Sequence, residues 1–183
     1  MSVTTVSSSM ITDATILNAD IGTAAAIATT KLGAGAIVQV VNVMDSAVGT
    51  GTGVYNLDDS VPANTEGDEA FTLAVTPTNA SNKLKIEVVV NIASSIQARA
   101  FAGLFQDTTS AALAAATIWI PNANNLGLIS FTHYMTAGTT SATTFKVRIG
   151  SNSAATTTFN GYSAGRIFGG VIPSSITITE IKV

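Results

Sequence analysis

The sequence predicts an all-β fold, an antiparallel β-sandwich or jelly roll, preceded by a short, mostly irregular N-terminal segment. Three observations predict it. Runs rich in Val, Ile, Phe and Thr recur along residues 36–183, and these side chains fit a pleated, half-buried surface. Several runs alternate apolar and polar residues with a period of two, which puts one face in a core and the other in water. Clusters of Pro, Asn, Ser and Gly separate the runs, supplying turn chemistry at the rhythm of a sandwich or jelly roll.

Residues 1–35 stand apart as an attachment or trimerisation segment, with the head domain at residues 36–183. Ile11, Ile16, Ile21 and Ile27 recur at spacings of five, five and six, and Leu32 follows. That period is neither the 3.6 of a packed helix nor the 2.0 of a strand. Such a segment cannot bury its own Ile side chains and needs a partner, either copies of itself or a docking surface. Residues 24–31 have the composition for one or two helical turns, which Thr29 and Thr30 weaken. Gly33 and Gly35 then break the chain before the next element.

From there the predicted strands are residues 36–44, 70–75, 83–93, 100–106, 117–120, 127–135, 143–150, 156–160, 166–172 and 175–183. Phe71, Leu73 and Val75 share one face of their strand. Leu84, Ile86, Val88, Val90 and Ile92 share a face, with Lys83, Lys85 and Glu87 opposite. Phe145, Val147 and Ile149 alternate with Lys146 and Arg148. Residues 45–69 read as a long surface excursion, with a short strand expected at 54–57. In the last strand Ile176 and Ile178 have one parity, Ile181 and Val183 the other. Either a bulge near Thr179 resets the register, or both faces are buried and the strand is central.

Composition narrows the function. The chain has 183 residues, and charged residues make up only 10% of it against 46% hydrophobic, where about 25% charged is usual. A surface so poor in charge is expected to lie against copies of the chain or within a large assembly. The net charge is -3, with no basic run, which argues against nucleic-acid binding. No stretch of about 20 apolar residues is present to insert in a membrane. The first ten residues lack the basic start and apolar centre of a signal peptide. Cysteine is absent, excluding disulfides, thiolate zinc sites and cysteine nucleophiles.

The residues that carry chemistry point to no catalytic site, metal or cofactor. His133 is the lone histidine, expected on the wet face of a strand, and no G-x-S-x-G nucleophile turn occurs. Asp58, Asp59, Glu66, Asp68 and Glu69 form the one acidic cluster. Oxygen ligands gathered on a loop suit calcium, and paired carboxylates suit a glycosidase. The spacing matches no EF-hand loop, so a solvated loop is the favoured reading. Gly49, Gly51 and Gly53 lack the Lys and helix of a phosphate-binding loop and read as a flexible turn. Tyr55, Trp119, Tyr134 and Tyr162 are the aromatics expected to be exposed. Tyr55 and Tyr162 are the candidates for surface binding, Tyr162 the better for lying in the turn Asn160-Gly-Tyr-Ser-Ala-Gly165.

The N-terminal run Asp13-Ala-Thr-Ile-Leu-Asn-Ala-Asp-Ile21, with Ile27-Ala-Thr-Thr-Lys-Leu32, resembles short repeats near the N-terminus of tailed-phage fibre and virion proteins. Lys83-Leu-Lys-Ile-Glu-Val-Val-Val90, Ala102-Gly-Leu-Phe-Gln-Asp107, residues 131–150, Arg166-Ile-Phe-Gly-Gly-Val171 and Thr177-Ile-Thr-Glu-Ile-Lys-Val183 resemble the trimeric jelly-roll heads of those proteins, related in shape to the tumour-necrosis-factor fold. The resemblance implies a non-enzymatic homotrimer on the virion surface. It implies contacts to other virion proteins, capsid or tail, through the N-terminal segment, and loops facing a host-surface glycan or protein. A capsid decoration protein at local three-fold positions is the alternative, since the chain is short for a fibre and has no long shaft.

Overall fold

The structure, a computed structural model, describes residues 31–183. The expectations for Ile11, Ile16, Ile21 and Ile27 fall outside the described residues. Within them the strands are β1 (Ile37–Asp45), β2 (Gly49–Gly51), β3 (Asp68–Val75), β4 (Lys83–Ser94), β5 (Ala98–Gln106) and β6 (Ala114–Ile120). They continue with β7 (Leu126–Thr136), β8 (Thr143–Ser151), β9 (Thr157–Phe159), β10 (Gly161–Tyr162), β11 (Gly165–Arg166) and β12 (Ser174–Ile181).

The long strands form two antiparallel sheets. One runs β1-β12-β4-β7, the other β3-β8-β5-β6. Numbered by chain order among the eight long strands, the sheets read first-eighth-third-sixth and second-seventh-fourth-fifth. That interleaving of two Greek keys is a jelly roll, so the predicted fold class is the observed one. The alternating runs explain it. Leu84, Ile86, Val88, Val90 and Ile92 all point inward from β4 and are fully buried. They meet Ile176 and Ile178 of β12 and, from the other sheet, Leu73, Leu104, Phe145 and Val147. Each such side chain contributes about 1.5–3 kcal/mol on burial.

Two columns of the first sheet are interrupted. Residues 174–181 of β12 pair along β4 as far as Val89, and β9 takes up the same edge of β4 at Ile92–Ser94. The stretch 161–173 is thus an excursion out of one sheet column. Beside it, β2 continues the column of β1 by pairing with β9. The seam is held by Asn91, Asn160 and Ser174. Ser174 Oγ donates to Asn160 Oδ1 at 2.6 Å and accepts from Asn91 N at 3.0 Å. Asn160 Nδ2 donates to the carbonyls of Asp45 and Ala47 at 2.8 and 3.0 Å.

Three expectations are corrected. The strand expected at 166–172 is absent beyond Arg166, the end of β11: the chain makes a 3-10 turn at Phe168–Gly170, where Phe168, Gly169 and Gly170 all have positive φ. Gly49–Gly51 is a strand rather than a flexible turn, because Gly49 leaves room for the Phe159 ring that a Cβ would strike. At residues 54–57 only a single bridge from Val54 to Ser151 forms. For the last strand the structure decides between the two alternatives: no bulge resets the register at Thr179, where the pairing with β1 and β4 is regular. It is central, lying between β1 and β4, and the inward slot after Ile178 is filled by Glu180.

Glu180 is fully buried and fully partnered. Its carboxylate accepts from Gln39 Nε2 at 2.5 Å, Thr78 N at 2.9 Å, Thr78 Oγ1 at 2.8 Å, Asn79 N at 3.3 Å and Asn82 Nδ2 at 2.6 Å. Burial pushes its pKa up, but the donors of Asn82, Gln39 and Thr78 outweigh that and hold it below the usual value. The turn at 76–82 is therefore bolted to β12 by one carboxylate.

Candidate functional site

Tyr55 was expected at the surface and is instead fully buried. The excursion between β2 and β3 folds over the outward face of the second sheet. There Tyr55 stacks on Phe101, with ring centroids 5.6 Å apart. Three glycines make the slot: a Cβ at Gly67, Gly103 or Gly150 would run into the Tyr55 side chain. The phenol donates to the Arg148 carbonyl at 3.2 Å, and burial pushes its pKa up. Tyr55 is a clasp for the excursion and offers nothing to a partner. The sequence signal was present in those glycines, but their pairing with Tyr55 is a long-range fact.

The acidic residues serve the same excursion. Asp68 Oδ2 accepts from Gly53 N at 2.5 Å, and Glu66 accepts from Asn56 Nδ2 at 2.8 Å and Ala63 N at 3.2 Å. Asp58 accepts from Ser60 N at 2.8 Å, and Glu69 pairs loosely with Lys146 at 3.7 Å. Among the described residues no three acidic or histidine side chains converge in a way that would hold a metal. His133 is also relocated. It sits opposite Ile86 on the inward side of β7, half-buried at the sheet edge, rather than on the wet face.

Two surfaces remain. The first is the outward face of β1-β12-β4-β7. Its rows across the four strands are Val40–Thr179–Lys85–Tyr134, Asn42–Thr177–Glu87–Thr132 and Met44–Ser175–Val89–Ser130. Lys85 and Glu87 are the charges in these rows, and they pair with each other at 2.9 Å. Val40, Met44 and Tyr134 are exposed there, and Leu126 and Leu128 extend the apolar surface along β7.

The second surface lies at one end of the sandwich. Ser95, Asn124, Thr156, Thr158, Ser163 and Ala164 line a pocket of about 210 Å³. It is built from the β4–β5 turn, the β6–β7 loop, the approach to β9 and the β10–β11 turn. Backbone bonds fix the walls: Ser95 N to Thr156 O at 2.9 Å, Asn124 N to Ser94 O at 2.6 Å and Ala164 N to Thr158 Oγ1 at 3.1 Å. Asn124, Ser163 and Ala164 have φ of 61°, 50° and 60°. Positive φ at both central residues makes Ser163-Ala164 a type I′ turn, which ordinarily carries Asn-Gly. Left-handed backbone at residues other than Gly costs about 1–2 kcal/mol each, and such strain clusters at functional sites.

The exposed aromatics are not brought together. Tyr134 is on the first surface and Tyr162 beside the second. Trp119 lies on the outward side of β6, with the Arg99 guanidinium 5.8 Å from its ring centre. Phe168, 71% exposed, was missed because its run had been read as a strand. The glycines that follow it were the signal. Leu32, at the start of the described residues, is half-buried.

The fold defines a jelly roll with a charge-poor sheet face, an uncharged end pocket and no assembled catalytic group among the described residues. No known family profile matches the chain, and no curated protein does. Among solved structures it is similar to a sugar-binding protein, the C-terminal domain of EclA: 14% identity, 69% of this chain and 78% of that one, TM-score 0.35. It is similar to a chain of infectious bursal disease virus, Gx strain: 9% identity, 79% and 40% covered, TM-score 0.35. It is also similar to the enzymatically active domain of tailspike protein 4 of bacteriophage CBA120: 14% identity, 69% and 19% covered, TM-score 0.27. The chain spans less than half the length of the two viral proteins.

Proposed function

We propose that this chain is a non-enzymatic structural and binding subunit of a tailed-phage virion. It assembles as a homotrimer, is held to other virion proteins by residues 1–35 and presents its end loops to a host surface. The observation that carries the reading is the outward face of β1-β12-β4-β7. It carries few charges, with Lys83 at one end and Lys85 paired to Glu87, and Val40, Met44, Leu128 and Tyr134 stand exposed among Ser and Thr. Charge-poor, partly apolar sheet surface of this kind is suited to packing against symmetry-related copies, and a cyclic trimer closes it.

Light scattering on the full chain tests this. The expected mass is three times the 18.5 kDa chain, and Met44→Asp with Tyr134→Asp is expected to give single chains with an unchanged β spectrum. A wild-type protein that runs as one chain sinks the trimer. A capsid decoration protein is the alternative. Counting copies per particle separates the two: hundreds for a decoration protein, a few trimers for a fibre.

A further inference from the structure

We infer that the end pocket binds a neutral, hydroxyl-rich ring, a single pyranose unit of a surface glycan, with Tyr162 as its apolar platform. This rests on the host-surface reading above and names its ligand class. The pocket is lined by hydroxyl and amide side chains, with no charged residue among Ser95, Asn124, Thr156, Thr158, Ser163 and Ala164. That lining has nothing to neutralise a phosphate or carboxylate and nothing to hold a cation. The side chains of Asn124, Thr156 and Ser163 make no hydrogen bond with the described residues. They leave donors and acceptors of both kinds facing the pocket, as vicinal hydroxyls require. At about 210 Å³ it falls below the ~300 Å³ at which drug-sized pockets begin, and so takes one ring rather than an extended ligand. Tyr162 adjoins Ser163 in the turn and is 47% exposed, an aromatic face of the kind that packs on the C–H side of a sugar.

The backbone adds an independent argument. Ser163 occupies a position where Gly is the unstrained residue, and its hydroxyl stands where folding alone favours Gly. The same walls are tied by main-chain bonds across the loops, so the pocket is formed before any ligand arrives.

The test uses full-length ¹⁵N-labelled protein titrated with the methyl glycosides of glucose, galactose, mannose, rhamnose and N-acetylglucosamine, with glucuronic acid as the anionic control. Saturable shifts at the amides of Ser95, Asn124, Thr156 and Ser163 are expected with at least one neutral sugar, unchanged by high salt. Tyr162→Ala is expected to weaken binding about tenfold. Asn124→Gly and Ser163→Gly separate ligand contact from structure: both are expected to keep the fold and lower sugar affinity, and Ser163→Gly also to raise thermal stability. No saturable shift with any neutral sugar overturns the inference, as do shifts mapping elsewhere, a response to glucuronic acid alone, or Gly variants that bind as wild type. Binding of labelled protein to host cells is measured in parallel. Cell binding untouched by the pocket variants overturns the pocket and leaves the host-surface reading standing. Sugar binding at the pocket without cell binding does the reverse.

Discussion

Replacing Glu180 by Gln isolates the one charged side chain in the core among the described residues. The side chains are isosteric, so packing is preserved and the change is electrical. Oε1 receives Thr78 N, Thr78 Oγ1, Asn79 N and Asn82 Nδ2, whereas Oε2 receives Gln39 Nε2 and Thr78 N. The new amide must therefore turn its NH₂ toward the Oε2 side, facing the Gln39 amide. Gln39 is not free to invert, because its Nε2 also donates to the Thr76 carbonyl at 2.8 Å. One buried donor loses its acceptor, at about 1–3 kcal/mol, and the remaining bonds lose their charge assistance, roughly another 1 kcal/mol. The total of about 2–4 kcal/mol lowers Tm by about 4–16 °C in a chain of this size. The pH dependence fixes the cause. The folded pKa lies below the usual glutamate value, so the stabilisation is fully present above the unfolded value of about 4.3 and is lost as pH falls through the folded value. Thermal unfolding of both proteins between neutral and strongly acidic pH is the assay. A gap that is near zero at neutral pH, or that stays constant as pH falls, refutes the argument.

Tyr55→Ala is expected to cost about 3–5 kcal/mol and to release the 52–67 excursion, seen as new protease cleavage there. Tyr55→Phe keeps the stack on Phe101 and loses one long hydrogen bond, about 1 kcal/mol, so equal effects from the two variants would contradict the clasp. Ala164→Gly removes left-handed strain at a small cost in unfolded-chain entropy. It is expected to stabilise by about 0.5–1 kcal/mol, and a drop in Tm would show that the Cβ packs usefully.

Strands were legible in the sequence where water and core alternate. The runs 83–93 and 143–150 carry that alternation, broken in the first by Val89 on the outer face, and β4 and β8 follow it. The rest was hidden because its cause is non-local. Glu180 looks like a wet-face residue until the donors of the 76–82 turn close around it. Gly49 looks like a hinge until Phe159 lies over it. Tyr55 looks exposed because nothing near it in sequence reveals the glycine slot on β5 and β8. The candidate surfaces were less legible still. Tyr162 was found by its turn, but the pocket beside it draws its lining from four loops that no local pattern joins.

The seam formed by Asn91, Asn160 and Ser174 has an architectural consequence. It brings the two ends of the 161–173 stretch to within one hydrogen bond, 2.6 Å, of each other, so the sheet closes beneath that stretch as though it were not there. Sequence inserted, shortened or exchanged between these ends leaves the register of β4 with β9 and β12 untouched. The jelly roll thus contains a splice point: a socket at which lineages can trade recognition elements, or an engineer can seat a foreign peptide, without redesigning the frame.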